Sequence, residues 1–134
     1  MKISGQFDVK LNPLDTFTKG RDTIKLGRMA IEKVFHGELT ASSKGEMLSA
    51  MTPVKGSAGY VAIEQVSGTL CERDGSFVLQ HYGIMNRGED KLVLEVLPDS
   101  GTGQLQGLRG QMAISVENGE HYYQFDFSLP DLAE

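Results

Sequence analysis

Gln111-Met112-Ala113-Ile114-Ser115-Val116-Glu117-Asn118-Gly119-Glu120-His121-Tyr122-Tyr123-Gln124-Phe125-Asp126-Phe127 is the stretch whose reading decides the fold. Asn118-Gly119 is the strongest short hairpin signal in the chain, because both residues accept the positive φ that a type I′ turn demands. A two-residue turn there sets Glu117 opposite Glu120, Ile114 opposite Tyr123 and Met112 opposite Phe125. Leu108, Met112, Ile114 and Val116 are the apolar set of one strand; Tyr123, Phe125 and Phe127 are that of the other. The turn chemistry and the hydrophobic pattern thus choose one register independently, as a half-buried hairpin requires.

The same period of two extends outward from this hairpin. From Lys2 to Leu11, the residues Ile3, Gly5, Phe7, Val9 and Leu11 alternate with polar ones, and Leu92, Leu94 and Val96 do so between Lys91 and Leu97. Glu38–Met51, Gly59–Cys71, Ser76–Met85, a long Gln104–Glu117 bent by Gly107 and Gly110, and Glu120–Leu129 read as further strands. Asn12–Asp22, with Pro13 and Gly20, reads as a loop long enough to fold over a barrel mouth. Asp22–Gly37 is ambiguous. Ala30, Ile31, Val34 and Phe35 have helical spacing, whereas a strand would put Met29, Ile31 and Phe35 on one face. Read as strand, it completes eight segments with short connections. The expectation is an all-β, eight-stranded antiparallel meander barrel, with a two-sheet sandwich as the alternative.

A chain of 134 residues fits one domain, taken as residues 1–134. The formal net charge of −5, with Lys and Arg spread singly, argues against a nucleic-acid partner. No apolar run approaches the about 20 residues of a membrane helix, and the start lacks a signal peptide's pattern. A cytoplasmic protein is expected. The one cysteine, Cys71, excludes an internal disulfide and reads as a small residue at a strand end.

Chemistry-bearing residues are few. A turn over Glu72–Gly75 would set Cys71 opposite Ser76 and Val66 opposite His81. Tyr60, Ala62, Glu64 and Val66 then share a face with Phe77, Leu79, His81 and Gly83, and Glu64 sits diagonal to His81, roughly 7–8 Å away between backbones. Tyr60, Glu64, Phe77 and His81 are therefore the candidate ligand contacts. An ionisable pair inside an apolar barrel can orient a ligand or move a proton, or can be a polar pair satisfied within the core. His36 and His121 are expected to be exposed, and Glu95 and Asp126 to lie on solvated faces, while nothing local decides where Glu46 points. No spacing suggests a metal, and no motif suggests a cofactor. Ser100-Gly101-Thr102-Gly103 reads as a tight turn, because no helix follows to make it a phosphate cradle.

Gly59-Tyr60-Val61-Ala62-Ile63-Glu64, Gly75-Ser76-Phe77-Val78-Leu79-Gln80-His81, and Ser100-Gly101-Thr102-Gly103 followed by Leu105 and Gly107 resemble, in this order, an uncharacterised bacterial family of unknown function. The resemblance runs from about Arg28 to Leu129. That family is similar to the allene oxide cyclase-like barrels, and this implies strand for Arg28–Gly37. No residue-by-residue match carries cyclase catalytic groups onto this chain, so the resemblance implies a fold and no activity. Three functions stay open: binding of a small apolar molecule, a cofactor-free isomerase or cyclase using the Glu64/His81 pair, and an interaction module, homo-oligomeric or not, whose barrel is filled.

Overall fold

Two-residue alternation is realised as eight antiparallel strands in the computed structural model, which describes residues 1–131. In chain order they are β1 (Lys2–Leu14), β2 (Lys25–Phe35), β3 (Leu39–Met51), β4 (Ala58–Leu70), β5 (Arg73–Asn86), β6 (Glu89–Val96), β7 (Arg109–Glu117) and β8 (Glu120–Ser128). Each pairs with the next, and β1 returns to β8, so the sheet closes into a barrel. This is a meander barrel of the calycin, allene oxide cyclase-like shape, not a sandwich.

The β7–β8 hairpin follows the register read from Asn118-Gly119. Glu117 faces Glu120, Met112 faces Phe125, and the two turn residues have φ of 53° and 81°. The ambiguous segment is a strand from Lys25 to Phe35, with Met29, Ile31 and Phe35 on one side, paired with β3 throughout and with β1 from Arg28 onward. Asn12 to Leu14, expected in a loop, instead extends β1 against β2. Proline is tolerated there because the β1–β8 ladder ends at Phe7, so Pro13 faces no partner on that side.

The long strand expected over Gln104–Glu117 is overturned in its first part. Gly103–Leu105 is a 3-10 turn, and β7 begins only at Arg109. Leu105 and Leu108 are both buried, a spacing of three that no strand could bury on one face. The preceding segment peels off β6 and lies along β5. Leu97 N–H donates to Val78 O and Thr102 N–H to Ser76 O, each at 2.8 Å. Ser100 and Thr102 hydroxyls accept from Val78 and Ser76 N–H at 3.0 Å. The Ser100–Gly103 turn thus completes the barrel wall where the β6–β7 ladder shrinks to two residue pairs.

One half of the interior is solid. Phe77 stacks on Phe125 with ring centroids 5.7 Å apart, and Phe125 stacks on Phe127 at 5.0 Å. Leu39, Leu70, Leu105 and Leu108 close the end below them. Tyr123 crosses this floor and donates its hydroxyl to His36 O at 2.7 Å. A Cβ on Gly5 would stand 2.6 Å from that hydroxyl, so glycine alone leaves the tyrosine its path. The side chains aligned toward the opposite end are methionines, small residues and polar groups.

Phe125, with no exposed surface, and Val116, 62% exposed near the hairpin tip, separate the two environments of this hairpin. Phe125→Ala is expected to lower the unfolding free energy by about 3–5 kcal/mol. Val116→Ala is expected to change it by less than about 0.5 kcal/mol, both read from urea denaturation.

Candidate functional site

The β4–β5 hairpin carries the predicted site, but through a different turn. Leu70 pairs with Arg73, and Cys71 and Glu72 form the turn, at φ of 46° and 68°. The four-residue turn over Glu72–Gly75 is therefore overturned, and Val66 faces Phe77 rather than His81. Gly75 lies inside the strand. Its missing side chain serves a close approach instead, since a Cβ there would stand 2.1 Å from Thr102 O. The register differs by an even number of residues, so every side chain keeps its predicted face. Glu64 stands opposite Leu79 and His81 opposite Ala62, which leaves Glu64 and His81 diagonal neighbours after all. Cys71 belongs to the turn, and burial, with Glu38 beside it, pushes its thiol up and away from the reactive thiolate.

Glu64 has no exposed surface, and its carboxylate is matched from three other strands, β4's neighbours β3 and β5 and the next strand, β2. Lys33 of β2 donates its Nζ to Oε2 at 2.8 Å, Ser43 of β3 donates its hydroxyl to Oε1 at 2.8 Å, and His81 Nε2 of β5 meets Oε2. Lys33 is itself only 5% exposed, with Nζ 5.2 Å from the centre of the Phe7 ring and 5.9 Å from that of Phe35. Gly45 faces Glu64 directly across β3–β4, and a Cβ there would stand 2.6 Å from Glu64 Cα.

Lys33 and Ser43 were not among the residues singled out from the sequence. For Lys33 the signal was present. Met29, Ile31 and Phe35 share a face, and position 33 falls in the same series, so β2 as a strand must turn a lysine inward. Ser43 carries no such signal, because a serine is unremarkable on either face of a strand.

Burial alone pushes the Glu64 carboxyl up. The hydrogen bond from His81, the charge of Lys33, the charge of His81 and the Lys33 hydrogen bond together outweigh it and hold the group at about 2. Glu64 is thus a carboxylate, a pure acceptor, and His81 Nε2 must donate to it. Burial and the negative charge of Glu64 push the Tyr60 phenol up, so it remains a hydroxyl.

Above this cluster the barrel opens. A cavity of about 430 Å³ at the end formed by β2 to β6 is lined by Met29, Met47, Met51, Met85, Tyr60 and Leu92 among others. The Tyr60 ring stands edge-on to His81, centroids 6.3 Å apart, and lies across Gly83, where a Cβ would come within 2.3 Å of the ring. Tyr60 is therefore at once a wall of the mouth and the cover of His81. The structure brings Tyr60, Glu64 and His81 together. Phe77 faces the same interior but lies in the packed half, against Phe125, and is not part of the mouth.

The remaining candidates lie elsewhere. His36 is exposed beside Asp8 at 2.9 Å, while His121, expected to be exposed, is half-buried because it packs on the Phe7 ring at 5.3 Å. Glu46 points outward, 2.6 Å from Arg28. Among the described residues no three His, Cys, Asp or Glu side chains gather as a metal site, and no helix is long and apolar enough to cross a membrane.

Residues 3–127 match the family described as protein of unknown function (DUF3224), and the chain belongs to that family. It is similar to a DUF3224-family protein of unknown function from Shewanella oneidensis MR-1, known from a crystal structure. The two share 62% identity over 96% of each chain, with a TM-score of 0.93. No curated protein matches.

The depressed Glu64 group sets a pH dependence. Its contribution is complete above its ordinary value of 4.5 and is lost as pH falls through about 2. Between those limits the protein is expected to lose about 3 kcal/mol more stability than its Glu64→Gln variant, measured by urea denaturation at each pH.

Proposed function

We propose that this barrel binds a small, largely apolar molecule in its methionine-lined mouth, and that Tyr60 and His81 supply the few polar contacts at the floor. The observation that carries this reading is the apolar cavity of about 430 Å³ that ends on Tyr60, with the buried Lys33–Ser43–Glu64–His81 cluster behind it. A barrel built only for stability would continue its packed core through this half. Burying a lysine and a glutamate costs desolvation that apolar side chains of the same volume avoid. Met29, Met47, Met51 and Met85 suit a ligand of irregular or aromatic outline, since thioethers are flexible, polarisable and favourable against ring edges. Glu64, Lys33 and Ser43 would then hold the imidazole rather than touch the ligand.

The outer wall supports a second reading, an interaction module. Leu48, Val61, Ile63, Tyr82 and Ile84 are all at least 41% exposed, and pairings Leu48–Val61 and Val61–Tyr82 join them across β3, β4 and β5. Light scattering discriminates: a stable oligomer that Val61→Glu returns to monomer supports this reading, and a monomer at all concentrations opposes it.

For the mouth, Nile red, an uncharged solvatochromic dye, is the probe. Saturable binding of one dye per chain is expected. Met47→Gln should weaken it about tenfold, the loss expected for replacing one buried apolar contact by a polar one. Dye binding that does not saturate, or that ignores Met47→Gln, would contradict the reading.

A further inference from the structure

The strand register divides the wall of the mouth into levels. Met51, Ala58 and Met85 pair in one row across β3 to β5. Two residues further in along each strand, Gly27, Ser49, Tyr60, Gly83 and Leu92 pair in a row across β2 to β6. The next row inward brings Met29, Met47 and Ala62. Alternate residues of a strand share a face, so all three rows look into the barrel.

The middle row is the polar one. Ser49 and Tyr60 are direct partners on adjacent strands, so their side chains stand side by side, and both line the mouth. A glycine flanks each. A Cβ on Gly27 would stand 2.9 Å from Ser49 Oγ, and one on Gly83 2.3 Å from the Tyr60 ring, so each side chain uses space that its neighbour leaves empty. Neither hydroxyl has a hydrogen-bond partner among the described residues, and no buried side-chain oxygen there lacks one, so both hydroxyls touch accessible space. Burial and the charge of Glu64 keep the Tyr60 phenol protonated, and it is therefore able to donate.

Resting on the reading of the mouth as a binding site, we infer that its ligand is an uncharged molecule with a carbonyl oxygen set within an apolar skeleton, and that the Ser49 and Tyr60 hydroxyls donate to that oxygen. Carbon on the outer side of the carbonyl meets Met51 and Met85, and carbon on the inner side meets Met29 and Met47. A hydrocarbon of the same shape would strip water from two donors and give them no acceptor, so the pair selects for the oxygen. A carboxylate is disfavoured at this level. Lys33 Nζ is engaged by Glu64, Lys91 Nζ lies 5.9 Å from the centre of the exposed Tyr82 ring, and Asp90 adds negative charge at the rim. An ammonium group would meet Asp90 only where that residue is exposed and water screens the attraction.

The test is displacement of Nile red by four molecules of one skeleton at neutral pH: tetralin, 2-tetralone, tetralin-2-carboxylate and 2-aminotetralin. The ketone is expected to bind about tenfold more tightly than the hydrocarbon, and at least about tenfold more tightly than either ion. Tyr60→Phe keeps the ring over Gly83 and should remove most of the ketone's advantage while tetralin binds within about twofold of before. Ser49→Ala should reduce the same advantage about threefold. Equal binding of ketone and hydrocarbon overturns the assignment of the ligand class and leaves the binding reading standing. So does tightest binding of the carboxylate or the amine, or a ketone advantage indifferent to both substitutions, or saturable dye binding that none of the four displaces. Failure of Nile red itself to bind saturably overturns the binding reading.

Discussion

A carboxylate with no water around it must be matched where it stands, and Glu64 is the group on which this interior turns. Three strands supply the match, each at the one position its register allows: Lys33 from β2, Ser43 from β3 and His81 from β5. Removing any of them leaves buried charge or a buried acceptor unpaired, which costs far more than the pair contributes when complete. The cluster therefore constrains how β2 to β5 sit against each other. It also explains why glycine faces Glu64 across the ladder: at position 45 any side chain would collide with the backbone that carries the carboxylate.

The cluster sits at a boundary. On one side Phe35, Phe77, Tyr123 and Phe125 fill the barrel. On the other side methionines and small residues leave a cavity, and Tyr60 leans across Gly83 to close its floor. An ionised group placed here is dry enough for its hydrogen bonds to be strong, and it lies behind Tyr60, which lines the mouth. The buried charged cluster lies where the aromatic packing stops.

Much of this was legible in the sequence, for reasons that differ from part to part. The β7–β8 hairpin was legible because Asn118-Gly119 has one favourable turn geometry and the apolar pattern agrees with it. The pairing of Glu64 with His81 survived a misread turn because an even slip in an antiparallel ladder preserves faces, and because the diagonal lies on either side of the direct partner. The turn itself was hidden. Cys71 and Glu72 adopt left-handed backbone without glycine or asparagine to announce it, while Gly75 looked like a turn residue and serves the approach of Thr102 instead. The Gly103–Leu105 turn was missed because two glycines nearby suggested a bent strand, although Leu105 and Leu108 lack strand spacing. Lys33 was passed over within a series whose other members were apolar. A charged residue at one interior position of such a series is the strongest sequence signal this fold offers for a polar site.

The most direct measurement is a carbon NMR titration of the Glu64 side-chain carboxyl in selectively labelled protein. The carboxyl is expected to stay ionised through pH 4 and to protonate only at about 2, where His81 and Lys33 hold it, in step with acid unfolding. A carboxyl that titrates near its ordinary 4.5 or above while the barrel remains folded would contradict it, because Lys33, Ser43 and His81 would then not be holding a buried anion.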